Sequence, residues 1–107
     1  MEASQLSSEA ETHGALPIDA CRRGERVRVH GIIRSVTLRP RAAAPSLEAE
    51  VYDGSGHITL VWIGHRRLSG VEVGRPITAR GRVTCPHGDP TIFNPVYDLY
   101  PEPVEAP

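Results

Sequence analysis

Apolar and polar residues alternate with a period of two along most of the chain, which is the pattern of strands that bury one face. Five such runs are separated by turn residues, and they lie at 26–38, 47–52, 57–62, 76–83 and 91–100, the last interrupted at Pro95. The same span contains no long segment with the 3.6-residue period of an amphipathic helix. The pattern predicts an all-β fold of five short strands.

Glycine and proline mark the connections between these runs. The sequence Asp53-Gly54-Ser55-Gly56 predicts a tight hairpin, because glycine adopts positive φ without steric cost. Prolines break strand pairing in two predicted loops, 39–46 and 84–90. The 64–74 connection is too long for a hairpin.

Five strands with one apolar face need a way to bury that face, and the chain offers no helix to cover a flat sheet. A small closed barrel buries the face and removes the sheet edges. Gly31 and Gly81 lie in the middle of predicted strands and permit sharp bends there, although the same glycines also suit bulges in a sandwich. The predicted interior is Val27, Val29, Ile33, Val36, Leu47, Ala49, Val51, Ile58, Leu60, Trp62, Ile77, Ala79, Val83 and Ile92.

The two ends of the chain lack this alternation. Residues 1–17 are rich in Ser, Glu and Ala, and residues 101–107 are rich in Pro and Glu. Such segments bury too little apolar surface to offset the entropy of ordering them. We therefore expect one folded domain over 18–100 with a disordered tail at each end.

Charge is distributed unevenly, although the formal net charge is only -1. The segment 18–100 carries 12 basic residues against eight acidic ones, hence +4, and every basic residue is Arg. Two interpretations of the absence of Lys stay open: codon bias in a GC-rich genome, or a functional preference for bidentate contacts with phosphate, which Lys cannot make. An arginine-rich outer surface is typical of proteins that bind nucleic acid.

Four segments, in this order, resemble the OB-fold family of nucleic-acid-binding domains. VRVHGIIRSV resembles the first strand, VYDGSGHITLVW the following hairpin, and GVEVGRPITARGRV the turn and fourth strand. IFNPVYDLY resembles the last strand of the wedge domain of the RecG helicase. The anticodon-binding domains of class II aminoacyl-tRNA synthetases share the broad pattern. The resemblance covers 18–100 and implies a five-stranded Greek-key barrel.

The resemblance also implies a place for the ligand. In OB-folds the ligand crosses the second and third strands between two loops, which correspond here to 39–46 and 84–90. Two glutamates on the second strand, Glu48 and Glu50, count against this site. Trp62 points inward by parity, but a role as a platform on which a base stacks stays open. The directions of Phe93, Tyr97 and Tyr100 cannot be predicted, because Pro95 disturbs the alternation of the fifth strand. The predicted nucleic-acid-binding residues are Arg26, Arg28, Arg34, Arg39, Arg41, Tyr52, Trp62, Arg66, Arg67, Arg80 and Arg82.

We expect a small non-enzymatic protein that binds single-stranded or branched nucleic acid with little sequence preference, DNA being favoured over RNA. The alternative is an adaptor that binds a protein partner through the same barrel. Two cysteines make no disulfide framework, which favours a cytoplasmic location. The first 16 residues lack the basic and apolar regions of a secretory signal, so we expect none, and the sequence contains no membrane-spanning run or helicase motor motif. Cys85 and His87 are too few for zinc, so no metal or other cofactor is predicted.

Overall fold

The computed structural model describes residues 2–40 and 43–102. The predicted predominance of β-structure is confirmed, and one short helix is added. The elements are α1 (Ala3–Thr12), a 3₁₀ turn (Ile18–Ala20), β1 (Arg26–Arg39), β2 (Ser46–Tyr52), β3 (His57–Ile63), β4 (Pro76–Thr84), β5 (Thr91–Phe93) and β6 (Val96–Leu99).

Strand β1 closes the sheet into a ring because it changes partner along its length. Its first half, from Arg26 to Ile32, is antiparallel to β4, and its second half, from Ile32 to Arg39, is antiparallel to β2. Strand β3 pairs with β2 and, in parallel, with β5, which in turn pairs with β4. The ring therefore runs β1-β2-β3-β5-β4 and back to β1, while β6 pairs with β4 alongside it.

Two glycines allow strands to approach closely in this ring. A Cβ atom at Gly31 would overlap the carbonyl group of Tyr52, at the point where β1 passes from β4 to β2. A Cβ atom at Gly81 would overlap the side chain of Ile92 on β5. Both glycines therefore serve close approach at the places where β1 and β4 change neighbours.

The interior of the ring is the core that the alternation predicts. Every predicted core residue is buried except Val36, which is partly buried and packs against the others. The structure adds two core residues from outside the strands, Ile18 in the 3₁₀ turn and Val71 in the connection between β3 and β4. These two lie in segments without periodicity, so the alternation could not identify them.

Helix α1 differs from the disordered tail that the sequence predicts for 1–17. Leu6 and Ala10, one turn apart, are only 1% and 3% exposed. The buried Asp53 of the hairpin fixes the segment, because its carboxylate accepts a hydrogen bond from the backbone of Ile18 at 2.9 Å and its carbonyl accepts one from Ser7 Oγ at 3.3 Å. Tertiary contacts therefore supply the order that local composition does not. In the predicted C-terminal tail, 103–107 lie outside the described residues.

Candidate functional site

A groove of about 600 Å³ crosses the outer faces of β2, β3 and β5. The loop between β1 and β2 forms one wall and the loop between β4 and β5 forms the other, as the sequence predicts for a ligand site. Its lining is Arg39, Ala43, Ala44, Ser46, Glu48, Thr59, Val61, Ile63, Pro86, His87, Asp89, Thr91 and Phe93.

The floor of the groove carries two exposed apolar side chains, Ile63 at 50% and Phe93 at 42%. Asn94 holds both in place: its backbone N–H donates to the carbonyl of Val61 at 2.6 Å and its side-chain oxygen accepts from the backbone of Ile63 at 2.9 Å. Asn94 has a φ of 51°, a left-handed conformation that ends β5. Sequence parity could not place Phe93, because the register changes between Asn94 and Pro95.

Two carboxylates of β2 face basic side chains across strands in and beside the groove, and Asp89 adds a further carboxylate to the lining. Arg39 Nε donates to Glu48 Oε2 at 2.7 Å, and the Arg39 side chain remains 56% exposed. Next along β2, Glu50 lies 3.7 Å from His57 Nε2. Glu48 therefore balances the one groove arginine that the structure describes; Arg41, predicted as its neighbour, lies outside the described residues.

A second charged surface lies on the first half of β1 and on β4. Arg26 pairs in register with Arg82, and Arg28 with Arg80. All four side chains are exposed, and within 2–40 and 43–102 none forms an ion pair. The residues between them on each strand point into the core. We call these four residues the arginine face.

A buried polar cluster ends the outward row of β1 that begins with Arg26 and Arg28. The ring of His30 stacks on that of His13, with centroids 3.9 Å apart, and lies edge-on to Tyr100. Its Nδ1 is hydrogen-bonded to Thr78 Oγ1 at 2.8 Å. Burial, together with the nearby His13, lowers the pKa of His30 to about 4. His30 is therefore neutral at physiological pH.

Two predicted site residues, Tyr52 and Arg34, contact each other, but at the far end of β2 from the groove. The guanidinium of Arg34 lies 4.9 Å from the centre of the Tyr52 ring. The ring of His57 lies 4.8 Å from the same ring. The half-buried Tyr52 thus already has a cation and an imidazole against it, and it contributes nothing to the groove floor.

Trp62 requires a correction, since the predicted interface includes it. The side chain is 4% exposed and faces the core, with its ring edge-on to Tyr97 at 5.2 Å. It follows the parity of Ile58 and Leu60, so no base can stack on it from outside. The predicted Arg66 and Arg67 are exposed in the connection between β3 and β4 and do not line the groove.

The described residues hold no cluster of three His, Cys, Asp or Glu side chains that could bind a metal ion. Both cysteines are free and half-buried. Burial, followed by the negative charges of Asp53, Glu25 and Asp19, raises the pKa of Cys21 to about 11. Its thiol is therefore protonated at neutral pH and is a poor nucleophile.

No helix in the described part of the chain is long and apolar enough to cross a membrane.

Comparison with solved structures finds a similar domain within a larger protein. A structure of RecG bound to a three-way DNA junction superimposes with a TM-score of 0.61 and 26% sequence identity. The match covers 75% of this chain and 11% of the RecG chain, so the likeness concerns a small part of that protein. No protein-family model matches the chain, and no curated protein does. The similarity to RecG that the sequence indicates is thus present in the structure.

Proposed function

We propose that the chain is a five-stranded Greek-key OB-fold that binds single-stranded or branched nucleic acid in the groove, without catalysis. The observation that carries the proposal is the groove itself, because it lies between the two predicted loops and presents Phe93 and Ile63 on its floor. The similar RecG structure has DNA bound, which supports a nucleic acid as the ligand.

The chemistry of the floor favours an unpaired strand. An exposed aromatic ring offers a surface on which a base stacks, and stacking contributes about 1–3 kcal/mol per base with little regard to its identity. Ile63 extends that apolar surface beside Phe93. Only unpaired bases expose the faces that stacking requires. We therefore expect little sequence preference, with DNA favoured over RNA because of the RecG likeness.

A protein partner is the second candidate, and the ion pair between Arg39 and Glu48 favours it. An apolar floor beside an ion pair, in which Glu48 neutralises Arg39, also suits a short apolar peptide. The two candidates differ in salt dependence. Nucleic-acid binding weakens steeply as salt displaces condensed counterions, whereas binding of an apolar peptide does not.

The test is a titration of the whole chain with fluorescent oligo(dT) at about 50 and 200 mM salt. We expect weak binding that weakens with salt and that Ile63→Glu abolishes, because the new carboxylate would replace the apolar surface beside Phe93 and repel a polyanion. Val73→Glu is the matched control: Val73 is an exposed apolar residue outside the groove lining, at 61%. Absence of binding at the lower salt, or equal losses in both variants, would overturn the proposal.

A further inference from the structure

The arginine face is a charged surface that the groove does not use. The register places Arg26 beside Arg82 and Arg28 beside Arg80. Side chains directly opposite on antiparallel strands have Cβ atoms about 5 Å apart, and alternate residues of one strand lie roughly 7 Å apart. Four guanidinium groups therefore share a small patch of the outer surface.

This arrangement is unfavourable for the isolated protein. Like charges directly opposite each other destabilise a sheet, and in the described chain no carboxylate pairs with any of the four. Arg82 also donates a hydrogen bond to the carbonyl of Gly24, which orients its guanidinium. A polyanion is the partner that compensates such a patch, and the arginine fork suits phosphate oxygens in particular.

The composition of the face distinguishes a duplex from a single strand. The four positions of the face are all arginine. The rings that follow in the same row, His13, His30 and Tyr100, pack against one another, and His30 is buried, so this face offers no free aromatic surface like that of Phe93 for an unpaired base. A duplex conceals its bases and presents phosphates, which are the groups that arginine contacts without sequence information. The face therefore fits the backbone of a double helix.

The arginine face and the groove adjoin at β5. Val83 of β4 pairs with Ile92 of β5, and both point into the core. The next residues in this register, Arg82 and Phe93, are exposed on the outer surface. A nucleic acid with paired and unpaired segments can thus contact both surfaces at once.

We propose that the arginine face binds the phosphate backbone of double-stranded nucleic acid while the groove holds an unpaired strand. Joint use of the two surfaces rests on the proposed function of the groove. Duplex binding by the arginine face does not depend on it.

The experiment measures binding of a short blunt-ended DNA duplex and of oligo(dT) to the whole chain and to Arg28→Ala/Arg80→Ala. We expect the duplex to bind the variant more weakly. The plot of log binding constant against log salt concentration should have a slope flatter by about two, which is about one for each lost phosphate contact. Oligo(dT) affinity should stay unchanged. The variant should melt no lower than the parent, since it removes one of the two pairs of opposed cations. Ser4→Glu/Ser8→Glu on the exposed side of α1 is the control, because it alters the net charge by the same amount.

Each outcome separates the two proposals. If the arginine variant and the control lose the same duplex affinity, or neither loses any, the arginine face is excluded while the groove proposal stands. If the duplex binds through the arginines and oligo(dT) does not bind at all, the groove proposal fails and the arginine face stands. If neither ligand binds the parent protein, both fail.

Discussion

The groove and the arginine face belong to the same ring of strands and differ in how their charges are paired. In and beside the groove, carboxylates on β2 face basic side chains on the neighbouring strands: Glu48 forms an ion pair with Arg39, and Glu50 lies beside the imidazole of His57. On the arginine face, cations face cations across β1 and β4. The alternation of inward and outward residues is the same in both regions, so the fold does not dictate this difference.

The difference in charge pairing is the basis of our proposal that the arginine face receives a charged partner. Exposed ion pairs such as Arg39–Glu48 contribute between zero and about 1 kcal/mol to stability. Opposed like charges cost a few tenths to about 1 kcal/mol for each pair. A face that opposes like charges and has no paired carboxylate within the described chain is most simply explained by an anionic ligand. The groove lining holds Glu48 and Asp89 beside Arg39, so it carries no excess of positive charge, and in our proposal its exposed apolar groups receive bases rather than phosphates.

Acid should destabilise the protein by protonating His30, which lies next to the arginine face in the outward row of β1. Burial of His30 lowers its pKa to about 4, against about 6.5 in the unfolded chain. Between these values the unfolded state binds the extra proton, so the free energy of unfolding falls as the pH drops from 6.5 to 4, by up to about 3 kcal/mol. A proton on His30 would also add a cation to the β1 row that contains Arg28. Urea unfolding across this pH range measures the loss.

His30→Gln separates this effect from the titration of carboxylates. The groups that face His30 are His13 after α1, Thr78 on β4 and Tyr100 after β6. The glutamine variant can still bond with Thr78 but does not titrate, so its stability should depend less on pH in this window. An equally steep pH dependence in the variant would show that His30 is not the titrating group.

Phe93→Ala should weaken oligo(dT) binding by about 1–3 kcal/mol, the contribution of one stacked base. Duplex binding should not change, because the arginine face is intact. Phe93→Leu sharpens the test, since it keeps apolar bulk and removes the ring. Comparable losses in the two variants indicate stacking. Full oligo(dT) affinity in the leucine variant would contradict stacking and favour an apolar peptide as the natural ligand. Fluorescence anisotropy measures both.

The ring of strands could be predicted because its determinants are local. Alternation placed the core from Val27 to Ile92, and Gly31 and Gly81, predicted to permit bends, lie where neighbouring strands approach closely. The two loops that wall the groove followed from their prolines. Parity also placed Arg26, Arg28, Arg80 and Arg82 on the outside, although only the register shows that they oppose each other in pairs.

The features that sequence missed depend on contacts distant along the chain. Helix α1 is ordered through Leu6, Ala10 and the bonds of Asp53, none of which a short window reveals. Phe93 became interpretable only once the left-handed Asn94 fixed the end of β5. Glu48 was placed on the ligand-facing side of β2 by parity, but its ion pair with Arg39 could not be foreseen, because it depends on how the loop between β1 and β2 folds.

The smallest effect should come from unbalancing the groove. Glu48→Gln removes the carboxylate 2.7 Å from Arg39 and frees that guanidinium for a phosphate. Oligo(dT) should bind several-fold more tightly at low salt. The slope of log binding constant against log salt concentration should become steeper by about 0.7, the value for one added phosphate contact to a single strand. Stability should change by less than about 1 kcal/mol because the pair is exposed. Glu50→Gln makes the same change in charge but frees no arginine, since Glu50 faces His57. An equal gain in both variants would mean that net charge, rather than the position of Arg39, governs the groove.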